Sequence, residues 1–140
     1  MLNEDRLPNH SALTISARLL FTLIFFLSGI THFTDVARYV SLMPESIPYR
    51  EFWVLLSGVV ELLGAGMILF NWRPRLGAWL LVAFLVPVTI LVHGHAMLYA
   101  EGEALRALQQ ASFLKGFAMI GAALLITQLG AGHRAAPSSA

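Results

Sequence analysis

Four long apolar runs separated by polar connections set the pattern of this chain, at about residues 13–33, 52–71, 76–98 and 111–129. Each is about twenty residues long, enough for a helix to cross the roughly 30 Å hydrocarbon core of a bilayer. The predicted architecture is therefore all-α: an integral-membrane four-helix bundle forming one domain. The second run, FWVLLSGVVELLGAGMILFN, carries a single charged residue, Glu61, near its centre. A carboxyl at that depth costs several kcal/mol unless it is protonated, paired or hydrated, so its default reading is functional. At 100° per residue, Ser57, Gly58, Gly64 and Ala65 fall on the Glu61 side, while Val59, Leu62, Leu63 and Phe70 fall opposite. Small residues let a neighbouring helix approach closely, so Glu61 is expected to point into the bundle.

The first run is interrupted only by Arg18, and no small-residue cleavage site follows it. It is expected to be a permanent transmembrane helix and not a signal peptide. Arg18, Phe21, Phe25, Ser28, Gly29 and His32 share one of its faces. Pro87 predicts a kink in the third run, which ends in VHGHAM with His93 and His95. In the fourth run Ala111, Ser112, Ala118 and Ala122 surround Lys115, with Phe113, Phe117 and Leu124 facing away. Between the first two runs, residues 34–51 are too polar to span; a short amphipathic helix ending before Pro44 is expected there, with Val36, Tyr39 and Val40 on its apolar side. The first eleven residues read as an exposed arm, and the tail 131–140 as disordered. Trp53, Trp72, Trp79 and Tyr99 read as interfacial belt residues.

Composition reinforces the membrane reading, since 57% of residues are hydrophobic and only 12% charged. A net charge of +1 without a basic cluster argues against a nucleic-acid partner. The absence of cysteine excludes disulfides, thiolate metal sites and dithiol chemistry by this chain. Four spans put both termini on one side with Arg6, Arg18, Arg73, Arg75 and Arg134, against Arg38, Arg50, Arg106 and Lys115 on the other. The excess is small, but the tight RPR turn adds to it, which places both termini in the cytoplasm.

In that orientation every helix delivers a titratable group to the outer half of the bundle: His32, Glu61, His93 with His95, and Lys115. Glu61, Lys115 and His93 are the candidate catalytic residues; His32, His95 and Arg18 are candidates for substrate binding. Each also has a plainer role. Glu61 and Lys115 could form a buried ion pair that fixes register. Arg18 could snorkel to headgroups, and the histidines could satisfy helix ends. His93 and His95 point about 200° apart on a continuous helix, so one metal could join them only if the helix broke near Gly94; no metal site is predicted. A haem between His32 and His93 would need opposed imidazoles at one depth, and nothing else in the sequence supports one. No phosphate-binding, dinucleotide, nucleophile-elbow or zinc-protease motif occurs.

The segments ARLLFTLIFFLSGITHF, GVVELLGAGMILFNWRPR, VTILVHGHAM and FLKGFAMIGAALLI resemble the four helices of the DoxX/DoxD-like family of small bacterial inner-membrane proteins. The resemblance runs from about Ala17 to Gly132 and falls on Arg18, Ser28, Gly29, Glu61, Arg75, His93 or His95, and Lys115. The chain departs from the family pattern at His32, where a lysine is usual, and at Gly116, where many members have asparagine. The resemblance implies a component of a membrane redox system, with quinone as the cofactor or substrate to look for and a soluble or membrane oxidoreductase as partner. In that reading Glu61 accepts or relays a proton, Lys115 holds a charge, and the histidines bond a quinone or carry protons outward. The alternatives are a non-catalytic scaffold for an oxidoreductase, or a small transporter, which with four helices would need a second copy of the chain.

Overall fold

A computed structural model describes residues 11–129. The expected N-terminal arm and C-terminal tail, with Arg6 and Arg134, lie outside the described residues. Among the described residues there is no strand, and five helices follow one another: α1 (Ser11–Thr34), α2 (Val36–Leu42), α3 (Arg50–Leu69), α4 (Pro74–Tyr99) and α5 (Glu103–Leu129). Four of them, α1, α3, α4 and α5, are long and apolar enough to cross a membrane. The short α2 is the amphipathic helix expected before Pro44. The main departure is at α5, which starts eight residues ahead of its apolar run. Glu103, Leu105, Arg106, Gln109 and Gln110 are all good helix formers, so the helix extends beyond the stretch that hydropathy marks. The connection before it shrinks to a bend at Ala100–Gly102, where Gly102 takes φ +91°.

The turn between α3 and α4 shows why these helices end where they do. Trp72 N–H donates to the Met67 carbonyl at 2.9 Å and Asn71 N–H to the Ile68 carbonyl at 3.2 Å. With Asn71 at φ 56°, this is a Schellman closure with asparagine in the left-handed position. Arg73, kept from the helical region by the proline after it, takes φ 51°, and Pro74 opens α4. Arg75, expected to be a topology determinant, also donates to the Gln128 carbonyl at 3.0 Å. A cation there suits the negative end of the α5 dipole.

The long helices form a row in which α1 packs on α3, α3 on α4, and α4 on α5, while α1 and α5 do not pack closely. One core joins them: Phe25 from α1, Ala65 and Ile68 from α3, and Ala78, Leu81 and Leu85 from α4, rimmed by Phe21, Phe84, Met119, Ile120 and Ile126. Across α3 and α4, a Cβ on Gly77 would stand 2.7 Å from the Gly64 carbonyl, so the two backbones touch where small residues were expected to allow it.

Pro87 does not break α4. The helix instead widens into a π turn over Val88–Gly94 and then resumes, a local adjustment that absorbs the missing proline N–H. Bonds in such a turn run i→i+5, which stacks residues five apart; in a regular α-helix they would diverge by about 140°. Thr89 and Gly94 are accordingly both buried on the side facing α5, against Gly116 and Phe113 respectively. The Thr89 hydroxyl is fully buried and, among the described residues, has no hydrogen-bond partner. Thr89→Val, which keeps the shape and removes the orphaned hydroxyl, is expected to raise stability by about 1 kcal/mol. Thermal unfolding in detergent checks this, and a lowered midpoint would mean the hydroxyl is bonded after all.

Candidate functional site

Helices α1 and α3 cross at Gly29 and Gly58. A Cβ on Gly58 would lie 2.8 Å from His32 Cβ, 2.9 Å from the Phe33 ring and 3.1 Å from the Gly29 carbonyl. A Cβ on Gly29 would lie 2.8 Å from Leu62 Cγ. Contact this close brings together the residues that follow each glycine by about one turn. His32 comes three residues after Gly29, and Glu61 three after Gly58. His32 Nδ1 stands 3.2 Å from Glu61 Oε2, with His32 only 4% and Glu61 only 2% exposed. Leu62, expected on the side opposite Glu61, is half-buried and fills the space over Gly29.

The bonds around the pair fix its chemistry. His32 Nδ1 is 2.8 Å from the Ser28 carbonyl. A carbonyl can only accept, so Nδ1 carries the hydrogen and donates it. Nδ1, the atom nearest Glu61, is thereby committed to the Ser28 carbonyl. Two arrangements avoid a net buried charge: neutral acid with neutral imidazole, or carboxylate with imidazolium. In both, the Nδ1–H bond to the Ser28 carbonyl keeps the ring oriented.

Two aromatic rings close the site. Tyr39 of α2 stacks on His32 with centroids 3.9 Å apart and planes 23° from parallel, and Phe84 of α4 meets the same imidazole edge-on at 6.3 Å. The Tyr39 hydroxyl lies 2.6 Å from Thr31 Oγ1, which itself donates to the Ser28 carbonyl at 2.8 Å. With its own hydrogen committed, Thr31 accepts from Tyr39. One carbonyl thus receives both the imidazole and the threonine that holds the lid. Sequence reasoning placed Tyr39 only on the apolar side of a surface helix. The available signal was its position seven residues after His32, across a single break at Asp35 where the chain can fold back on α1.

The other candidates do not join this pair. Lys115 is exposed and makes no ion pair with Glu61. The small-residue face around it is not the one α5 packs with: Gln109, Gly116, Ala123 and Thr127 are buried instead, and Phe113, expected to face away, lies over Gly94. His93 is half-buried, its Nδ1 2.9 Å from Gln109 Oε1 on α5. His95 is exposed and its ring lies 4.6 Å from that of Tyr99. The helix does not break at Gly94, so the two histidines keep separate surroundings, and His93 does not face His32. Arg18 is half-buried with its Nε unpartnered among the described residues. The same face of α1 runs from it through Phe21, Phe25, Ser28 and Gly29 to His32, and this is the face that packs, as its spacing suggested. Among the described residues no group of three or more His, Asp or Glu side chains could hold a metal ion. An open groove of about 280 Å³ at the end of α4 is lined by His95, Tyr99 and Gln109 on one side and by Met43, Pro44 and Glu45 on the other.

Comparison with known proteins gives one match. The family model described as "Domain of unknown function (DUF8561)" matches residues 21–115, more than half of the chain, including both members of the pair. No curated protein matches, and no solved structure matches.

Proposed function

Since this chain belongs to the DUF8561 family, a domain of unknown function, its activity has to be read from its own residues, and we propose a proton-handling component of a membrane redox system. The observation that carries this is the His32–Glu61 pair, two titratable groups buried together where two apolar helices cross. Ionisable groups at such depth are costly and are kept where protons, ions or substrates move. In the proposal the four long helices span a bacterial inner membrane with both termini in the cytoplasm, which the apolar lengths and the arginines of the α3–α4 turn support.

The resemblance to DoxX-like proteins suggests a quinone or another small oxidisable compound as the substrate. The donor set suits a quinone, since imidazole N–H and carboxyl groups bond ring carbonyls. Tyr39 stacks over the imidazole, and neither the groove at Arg50 nor the groove at His95 is lined by His32 or Glu61. The groove at His95, Tyr99 and Gln109 offers open space for a ring at the same end of the helices. What this chain supplies is therefore proton exchange at Glu61 and at His32, with Tyr39 excluding water. A second reading, a non-catalytic scaffold for an oxidoreductase, draws support from that same closure: a sealed pair also works as a packing device.

Purification in mild detergent followed by lipid extraction separates the two. Under the redox proposal quinone co-purifies with the wild-type protein, and quinone-linked proton uptake in vesicles is lost in Glu61→Gln and reduced in His95→Ala. Protein free of quinone, whose Glu61→Gln variant still restores activity to a co-purifying oxidoreductase, would establish the scaffold.

A further inference from the structure

Between α2 and the first turns of α3 runs a groove of about 560 Å³. Its polarity is graded along the α3 axis. At the first turn stand Arg50, half-buried, and Glu51, exposed. Leu55 lies five residues further on, about 7 Å deeper, facing Val36 and Val40 across the groove. Among the described residues neither the Arg50 guanidinium nor the Glu51 carboxylate has an ion-pair partner. The start of α3 also has no side-chain cap, so its first backbone N–H groups remain available. Exposed Phe52 and Trp53 mark the same level as an interfacial one.

A groove with adjacent opposite charges at its water end and aliphatic walls below matches one chemical class. We propose that it holds a phospholipid of the phosphatidylethanolamine type, with the phosphate on Arg50, the ammonium on Glu51, and an acyl chain along Val36, Val40 and Leu55. A guanidinium is suited to phosphate, and a primary ammonium can donate hydrogen bonds to a carboxylate. A net-anionic headgroup would meet Glu51 unfavourably, and a trimethylammonium has no hydrogen to donate. The proposal rests on insertion of the four long helices in a membrane, but not on any role of the His32–Glu61 pair.

The test uses the full chain, stripped of lipid in detergent and offered dioleoyl phosphatidylethanolamine, phosphatidylglycerol or phosphatidylcholine separately. Bound lipid is counted by native mass spectrometry, and melting is followed in parallel. The wild type is expected to retain phosphatidylethanolamine about tenfold better than the other two and to melt several degrees higher with it. Arg50→Gln should abolish that retention, and Glu51→Gln should level phosphatidylethanolamine with phosphatidylcholine. Arg38→Gln, at an exposed position on α2 outside the groove, should bind as the wild type does. Equal retention of all three lipids, or a loss in Arg38→Gln as large as that in Arg50→Gln, would overturn the proposal. A chain that stays in solution without detergent would instead refute membrane insertion itself.

Discussion

Gly58→Ala is expected to destabilise the protein by about 1–3 kcal/mol, the range for forcing a methyl group into a packed core, and to part His32 from Glu61. The new Cβ would meet His32 Cβ at 2.8 Å and the Gly29 carbonyl at 3.1 Å. The carbonyl belongs to the backbone of α1, so the strain is relieved only by moving that helix away. A control lies on the same helix: a Cβ on Gly66 would meet nothing within 4 Å. There alanine should be neutral or stabilising by up to about 1 kcal/mol, because it costs less conformational entropy in a helix. Melting of the two variants in one detergent is the comparison. If Gly58→Ala melts with Gly66→Ala, the α1–α3 crossing is loose enough to take a methyl group.

The second large effect is at the acid itself. Glu61→Ala removes one partner of a pair that is 4% and 2% exposed, and truncating one member of such a pair typically costs about 3–5 kcal/mol. Glu61→Gln fills the same space without the ionisable group, so it is expected to stay folded while losing proton exchange. The contrast separates architecture from chemistry in two measurements, unfolding in detergent and proton uptake in vesicles. A Glu61→Ala variant as stable as the wild type would remove the pair from the account of both.

The four spans were legible because hydropathy and length are local properties, and so was the buried face of α3, where Gly58, Gly64 and Ala65 cluster beside Glu61. The partner of Glu61 was not. Lysine is the natural opposite charge, and the alanines around Lys115 looked like an interface. Small residues permit close packing but do not compel it: α5 packs through Gly116, under Thr89, about 100° around the helix from Lys115. The phase of that contact depends on the π turn in α4, which Pro87 hints at but which no local pattern specifies. His32 was seen as one polar group among several, because its match to Glu61 requires knowing that Gly29 and Gly58 are stacked on each other. Tyr39 needed still more, the reversal of the chain at Asp35. Contacts made by a helix with itself were readable, and those set by the register between two helices were not.

The order in which the helices stand in the row, α1, α3, α4, α5, is also the order in which they are made. As synthesis proceeds from the N-terminus, each new long helix emerges next to the one on which it will rest. The crossing at Gly29 and Gly58 can therefore close, with α2 between its two halves already present, before α4 or α5 exists. Assembly never has to hold an early helix open for a late one, a low-contact-order route that leaves few chances for mispairing.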